Sequence, residues 1–236
     1  MKLSIIVPVY NEEKTIAEVL KRLKNEEIPG VEKQIIVVDD GSKDSTRKIL
    51  SNIKNRNVKI ILHEKNQGKG AAVKTGIKNA SGDYIIIQDA DLEYHPRQIK
   101  NLVAPILKKQ AEVVYGTRLD RMPHLSKEES KHLFIIHYFG NRFLSLVTSI
   151  LYGQWITDME TGYKLFPKDA MKDIKLNARG FELEPEITAK LLKKGYKIKE
   201  VPITVVPRGY EEGKKLNTTR DGLKALWNLL KYRFSD

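Results

Sequence analysis

Two aspartates one residue apart, Asp89 and Asp91, follow an apolar run from Tyr84 to Ile87 that itself follows a Ser-Gly turn. The run is short, continuous and β-branched, as in a strand buried on both faces of a parallel sheet. Ligands of open α/β sheets bind beyond the carboxyl ends of the strands. Carboxylates placed there can hold a hard cation, Mg²⁺ or Mn²⁺, which in turn binds a diphosphate. A lone Asp-x-Asp is equally an acidic turn capping the next helix. After a buried strand, with Glu93 next and Pro96 opening a helix, the metal reading is the stronger one.

Other chemistry-bearing residues fall at the ends of apolar runs in the same way. Pro8 and Tyr10 end the run that starts at Leu3, and Asp39 and Asp40 end the run from Gln34 to Val38. Acids converging on one rim repel each other unless a cation or hydrogen-bond donors sit among them. Tyr10 either packs as an ordinary aromatic or stacks on a base. Asp39 and Asp40 either serve the Asp-Gly-Ser turn or accept the N–H of a nucleobase or the hydroxyls of a ribose. The backbone of Gly68-Lys69-Gly70 can approach a diphosphate, and Lys69 adds a charge. Its spacing is neither that of a Walker A loop nor Gly-x-Gly-x-x-Gly.

The elements that must carry these residues alternate strand and helix. Leu3 to Val9 reads as a strand, followed by a helix capped by Asn11, with Glu12 and Glu13 in its first turn and Ile16, Val19, Leu20 and Leu23 on one face. Strands are expected at 34–38, 58–62, 84–87 and 112–115. Helices are expected from Asp44 or Ser45, from Ala71 to Asn79, and after Pro96, the last bent at Pro105. Such spacing implies right-handed crossovers and a mostly parallel sheet flanked by helices, an α/β fold.

Composition limits the function classes. The 236 residues suffice for one large domain. No stretch approaches the length of an uninterrupted apolar span, and the N-terminus runs straight into a strand with no signal-peptide cleavage region. With no cysteine, disulfides and thiolate metal sites are excluded, and a cytoplasmic location is expected. The formal net charge of +12 calls for anionic partners. The basic residues are spread along the chain without a nucleic-acid-binding module, so phosphorylated ligands or an anionic membrane fit better than nucleic acid.

Four segments in order resemble the signatures of family 2 glycosyltransferases: Pro8 to Glu13, Val38 to Thr46, Asn66 to Gly70 and Asp89 to Glu93. The resemblance continues through Tyr115-Gly116-Thr117-Arg118, Gly140-Asn141-Arg142, Asp158 to Lys164 and Gly180 to Glu186. These look like the branch of dolichyl-phosphate mannose and glucose synthases and bacterial polyprenyl-phosphate glycosyltransferases. The resemblance implies the Rossmann-like GT-A fold, a UDP- or GDP-hexose donor, Mg²⁺ or Mn²⁺, and inverting transfer to a polyprenyl phosphate. It places Pro8, Tyr10, Glu12, Asp39 and Asp40 at the nucleoside, and Lys69 near the donor phosphates. Asp91 would be the principal metal ligand, with Asp89 supporting the metal or ribose and Glu93 as a third contributor to the metal, while Ala90 would line the nucleotide-sugar site. Arg118 would meet the acceptor phosphate, and Asp158 and Lys164 would sit by the sugar and diphosphate. Many members carry transmembrane helices after the catalytic domain, and none is expected within these 236 residues. The Thr161-Gly162-Tyr163-Lys164 motif departs from the Ser-Gly-Phe-Arg of mannose synthases and leaves the sugar open.

The chain then divides into a nucleotide-sugar half (1–118), an acceptor-side half (119–206) and a basic tail (207–236). Phe134 to Tyr152 is apolar but broken by His137, Asn141 and Arg142, as in an interfacial or core helix. The charged stretch from Arg208 to Lys215 precedes a helix with Leu223, Leu226, Trp227 and Leu230 on one face and Arg220, Lys224, Lys231 and Arg233 around it. That pattern suits either a membrane surface on the inner face of the cytoplasmic membrane or docking on the core. A phosphate monoester is anionic at neutral pH, its second pKa being about 6, and needs positioning by Arg118 and Arg142 more than a base. A saccharide hydroxyl, the alternative acceptor, would need Asp158 or Glu160 as base.

Overall fold

Alternate residues of the first strand, β1 (Lys2–Val9), enter two different cores. Leu3, Ile5, Val7 and Val9 face one, and Ile6 faces the other. The same division runs through β2 (Glu32–Asp39), with Ile35 and Val37 opposed to Ile36 and Val38, and through β4 (Tyr84–Ile87). Burial on both faces is why these strands read as unbroken apolar runs. The computed structural model describes residues 1–119, 132–206 and 218–235.

The remaining described strands are β3 (Val58–Leu62), β5 (Val113–Thr117), β6 (Lys164–Pro167) and β7 (Ile198–Pro202). They form one sheet in the order β3-β2-β1-β4-β6-β5-β7. Every pairing is parallel except those of β6, which runs against both β4 and β5. The sheet is therefore mostly parallel, as expected. The reversed β6 has a consequence for chemistry: its first residue lies at the rim where the parallel strands end. The segment from Asp158 to Tyr163 is thereby delivered to that rim.

Helices α1 (Ile16–Asn25), α2 (Thr46–Ser51) and α4 (Ile99–Leu107) cover one face of the sheet. Helices α3 (Lys69–Asn79), α5 (His132–Tyr152), α6 (Leu183–Lys193) and α7 (Thr218–Phe234) cover the other.

Two local expectations are corrected. Asn11 does not cap α1, which starts only at Ile16. It adopts a left-handed backbone with φ 51°, a conformation asparagine tolerates, and its Oδ1 accepts from the Lys43 amide at 2.8 Å. Glu12 and Glu13 consequently lie before the helix, where they tie the β1 loop to the β2 loop. The Glu12 amide donates to Thr46 Oγ1, and Glu13 accepts from the Ser45 amide. Helix α7 docks on the core, but through Ala225, Leu229 and Tyr232. Leu223, Trp227 and Leu230, read as its apolar face, are exposed. The charged stretch from Arg208 to Lys215 lies outside the described residues, as do the side chains of Phe134, His137 and Arg220. Among the described residues no helix is long and apolar enough to cross a membrane.

Candidate active site

The rim at the strand carboxyl ends gathers most of the residues singled out in the sequence. Pro8 is buried in β1, and Tyr10 and Glu12 follow it, Glu12 almost fully buried with its Oε2 accepting from the Thr15 hydroxyl. Asp39 is buried at the end of β2 and pairs with Arg47 Nε at 2.7 Å. Arg47 also donates to the His63 carbonyl, which links β2 to the end of β3.

Asp40 supports the neighbouring glycine loop rather than facing outward. Its carboxylate accepts from the amides of Gln67 and Gly68, the latter at 2.7 Å, and meets His63 Nδ1 at 2.7 Å. His63 Nε2 in turn meets Thr75 Oγ1 at 2.9 Å. The loop so held is tight. Gly68 has φ 97°, and a Cβ there would sit 2.2 Å from the Arg179 carbonyl. The Gly70 amide donates to the same carbonyl at 2.7 Å, so the segment before α6 is clamped onto the start of α3.

That clamp sets the position of Lys69. Its ammonium lies 2.8 Å from Asp89 Oδ1 and 3.2 Å from Glu184 Oε1, and above the Phe181 ring. Burial alone would lower its pKa, but Asp89 and Glu184 raise it well above the ordinary lysine value, so it stays charged. The other oxygen of Glu184 is 2.9 Å from Lys164 Nζ. Glu184 thus meets two ammonium groups as ion pairs outside hydrogen-bond alignment. Lys164 is fully buried at the start of β6. Its ammonium also donates to the carbonyls of Met159 and Thr161 and stands over the Tyr115 ring. It therefore braces the Asp158–Tyr163 loop and shares Glu184 with Lys69.

The same loop touches the acidic pair directly. A Cβ added at Gly162 would sit 2.7 Å from Asp89 Oδ2. Ala90 is buried between the two acids. Asp91 Oδ1 accepts from the Glu93 amide at 3.1 Å, with Leu92 between them at φ 64°. The Glu93 carbonyl is bonded to the Val206 amide. Among the described residues no three acids, histidines or cysteines are already drawn together as a metal-holding group.

Ahead of β6, Asp158 is fully buried, and both its oxygens accept from Arg118: Nε to Oδ2 and Nη2 to Oδ1, each at 2.7 Å. The Arg118 amide adds a third bond, and Glu200 of β7 accepts from the Thr157 and Asp158 amides. Arg142 reaches over from α5 to the Leu119 carbonyl at 3.2 Å. Glu160, close to these groups, has a buried Oε1 with no hydrogen-bond partner among the described residues. Burial pushes its carboxyl from the usual 4.5 up to about 7; Glu184 and Asp158 add to the rise, and Lys164 and Arg118 oppose it.

The model of the family described as glycosyl transferase family 2 matches residues 4–175. The chain belongs to glycosyl transferase family 2. A UDP-N-acetylglucosamine–dolichyl-phosphate N-acetylglucosaminyltransferase of Methanococcus voltae is 34% identical, covering 96% of this chain and 94% of that protein. A dolichol-phosphate mannosyltransferase of Pyrococcus furiosus is 32% identical over 98% of this chain, which spans 64% of that longer protein. Among solved structures, glucosyl-3-phosphoglycerate synthase from Mycobacterium tuberculosis superposes with a TM-score of 0.73 at 19% identity, covering 98% of this chain and 79% of that one. It was crystallised with Mn²⁺, UDP and glucosyl-3-phosphoglycerate. The shared architecture is the GT-A fold.

In this family 2 glycosyltransferase, sequence reasoning passed over Glu184 and gave His63, Arg47 and Glu200 no part. Glu184 stood inside a quoted signature, Gly180 to Glu186, yet no local spacing links it to Lys69, more than a hundred residues earlier. The pairing arises only because the segment before α6 folds onto the start of α3.

Proposed function

We propose that the enzyme transfers a hexosyl group, with inversion, from a UDP- or GDP-sugar to a polyprenyl phosphate, using Mg²⁺ or Mn²⁺. The donor set fits such a cation. Asp89 and Asp91 supply hard oxygens at a strand end, and Mg²⁺ is usually bound by one or two carboxylates plus substrate phosphates rather than by an all-protein cage. Asp91, with Asp89, would hold it, and when bound it supplies charge against the departing diphosphate. Lys69, kept charged by its two carboxylate neighbours, adds to the same stabilisation. Pro8, Tyr10, Glu12 and Asp39 line the nucleoside end, and Asp40 acts through the loop it supports.

The observation that carries the acceptor is the Arg118–Asp158 pair. Asp158 is buried and has both oxygens committed to Arg118, which disqualifies it as the base a hydroxyl acceptor would need. Arg118 uses only part of its guanidinium on Asp158 and is partly exposed. Its remaining donors suit a phosphate, which is already nucleophilic at neutral pH. The two named relatives also agree on a dolichyl-type phosphate and differ in the sugar. A lipid acceptor makes the membrane surface the place of action.

A saccharide-hydroxyl acceptor is favoured by one feature only: Glu160, with its pKa near 7 and its unpartnered oxygen, has the properties of a general base. Incubating the protein with polyprenyl phosphate, a panel of UDP- and GDP-sugars and Mn²⁺, and weighing the lipid product by mass spectrometry, tests the choice. Glycosylated lipid phosphate is expected, lost in excess EDTA and reduced about 100-fold or more in Asp91→Asn with an unchanged melting curve. Consumption of a saccharide with the lipid phosphate left intact would overturn the acceptor.

A further inference from the structure

Four large side chains on α5, Phe139, Phe143, Leu146 and Ile150, are exposed to solvent. Four more on α7, Leu223, Trp227, Leu230 and Phe234, are exposed at the same spacing of i, i+4, i+7 and i+11. With 3.6 residues per turn, each set occupies about 60° of its helix. The opposite sides, Leu144, Ser145 and Thr148 on α5 and Ala225, Leu229 and Tyr232 on α7, are buried. The helices also pack on one another: Tyr152 donates its hydroxyl to the Leu229 carbonyl at 2.8 Å, while Val147, Leu151 and Leu226 pack half-buried against the shared core. Inner faces in one core leave the two outer stripes side by side. Single exposed apolar residues are ordinary, but two aligned stripes mark an interaction surface.

Charge selects the partner. From Tyr138 to Tyr152 the sole charged residue is Arg142; from Asp221 to Ser235 Lys224, Lys231 and Arg233 face a single acid, Asp221. Lys224, Lys231 and Arg233 are exposed and flank the α7 stripe on both sides. Two copies of so basic a face repel each other, whereas an anionic surface attracts them. The face also adjoins the rim. Arg142 of α5 holds the Leu119 carbonyl beside Arg118, and Lys224 of α7 shares a pocket with Glu182, just ahead of α6.

We propose that the α5–α7 face lies on an anionic lipid bilayer, with its eight apolar side chains in the head-group boundary and its lysines and arginines at the lipid phosphates. This deepens the acceptor reading and rests on it, since a polyprenyl phosphate held in that bilayer would then lie close to Arg118.

Co-sedimentation of the full chain with vesicles of phosphatidylcholine, with and without phosphatidylglycerol, tests it. Wild-type protein is expected to pellet with the anionic vesicles and to be released by salt. Phe143→Asp/Leu230→Asp should lower partitioning at least about tenfold. Phe143→Ser/Leu230→Ser serves instead if the acidic pair disturbs the circular dichroism. In a Trp155→Phe background, brominated acyl chains should quench Trp227. The surface is overturned if wild-type protein stays in the supernatant, if the double variant pellets as wild type does, or if Trp227 is not quenched. A wild-type dimer that the variant dissolves, without vesicle binding, would assign the face to a second copy instead. Transfer to a short-chain, water-soluble prenyl phosphate should be equal in both proteins. Its absence from both, with vesicle binding intact, would remove the acceptor reading and leave the surface standing.

Discussion

The ammonium of Lys69 lies 2.8 Å from Oδ1 of Asp89, the first acid of the Asp-x-Asp pair. The fold thus places a cation of its own against the carboxylate proposed to share a divalent metal. Glu184 holds that cation from the far side at 3.2 Å. Lys69 therefore partly neutralises Asp89 before any ligand arrives.

Removing this charge should have opposite effects on stability and on metal response. Lys69→Gln leaves Asp89 and Glu184 facing each other, a cost of about 3 kcal/mol in a buried cluster. In EDTA the variant should melt below wild type. Because its acidic pair lacks the internal cation, Mn²⁺ should raise its melting temperature by more than it raises that of wild type. Calorimetry in EDTA and in Mn²⁺ reads both effects. Equal increments in the two proteins would show that Lys69 and the metal do not share Asp89.

Gly162 allows a cleaner separation of site from fold. A methyl group there would reach 2.7 Å from Asp89 Oδ2 and 3.3 Å from the Tyr94 ring. The nearer obstacle is the end of a side chain, which can turn away. Gly162→Ala should cost no more than about 1–2 kcal/mol in urea unfolding, while transfer falls about 100-fold because Asp89 is pushed from Lys69. A variant as active as wild type would mean that the position of Asp89 is not critical.

The first half of the fold was legible because its signals are local. Buried parallel strands are continuous apolar runs, and α1 and α4 carry their core residues at helical spacing. The Asp-x-Asp was legible because it follows such a run. The reversed β6 was not, since Lys164 to Pro167 is only four residues long and begins with a charge. Its lysine is buried only because Glu184, Met159 and Thr161 surround it, and the first of these comes from a distant segment, the start of α6. Asn11 was misread as a cap because a helix cap and a left-handed turn favour the same side chain.

Glu160 provides a pH test. Its folded pKa near 7 lies above the usual 4.5, so the folded state favours the protonated form. Its contribution to stability is fully present below pH 4.5 and is lost as pH rises through 7. Glu160→Gln should therefore gain stability relative to wild type over that interval, on the order of 3 kcal/mol by pH 8. Urea titrations at several pH values would show it. A constant difference between the two proteins across the interval would mean that Glu160 ionises normally.

Arg118 separates the two acceptor readings. Its guanidinium makes two parallel bonds to Asp158, a geometry that lysine cannot reproduce. Arg118→Lys should therefore weaken its hold on Asp158 and offer the acceptor a single point charge. In the proposed reading donor binding depends on Asp39, Lys69 and Asp91, and it should change little in nucleotide titration. Transfer to polyprenyl phosphate should fall about 10²-fold or more, with the loss in kcat and in the KM for lipid rather than for nucleotide sugar. Since a phosphate acceptor needs no base, Glu160→Gln should transfer with an unshifted pH profile. If a hydroxyl is the acceptor, Glu160→Gln should instead lose the limb near pH 7. Arg118→Lys would then retain most of its activity, and the lipid-phosphate reading would fall.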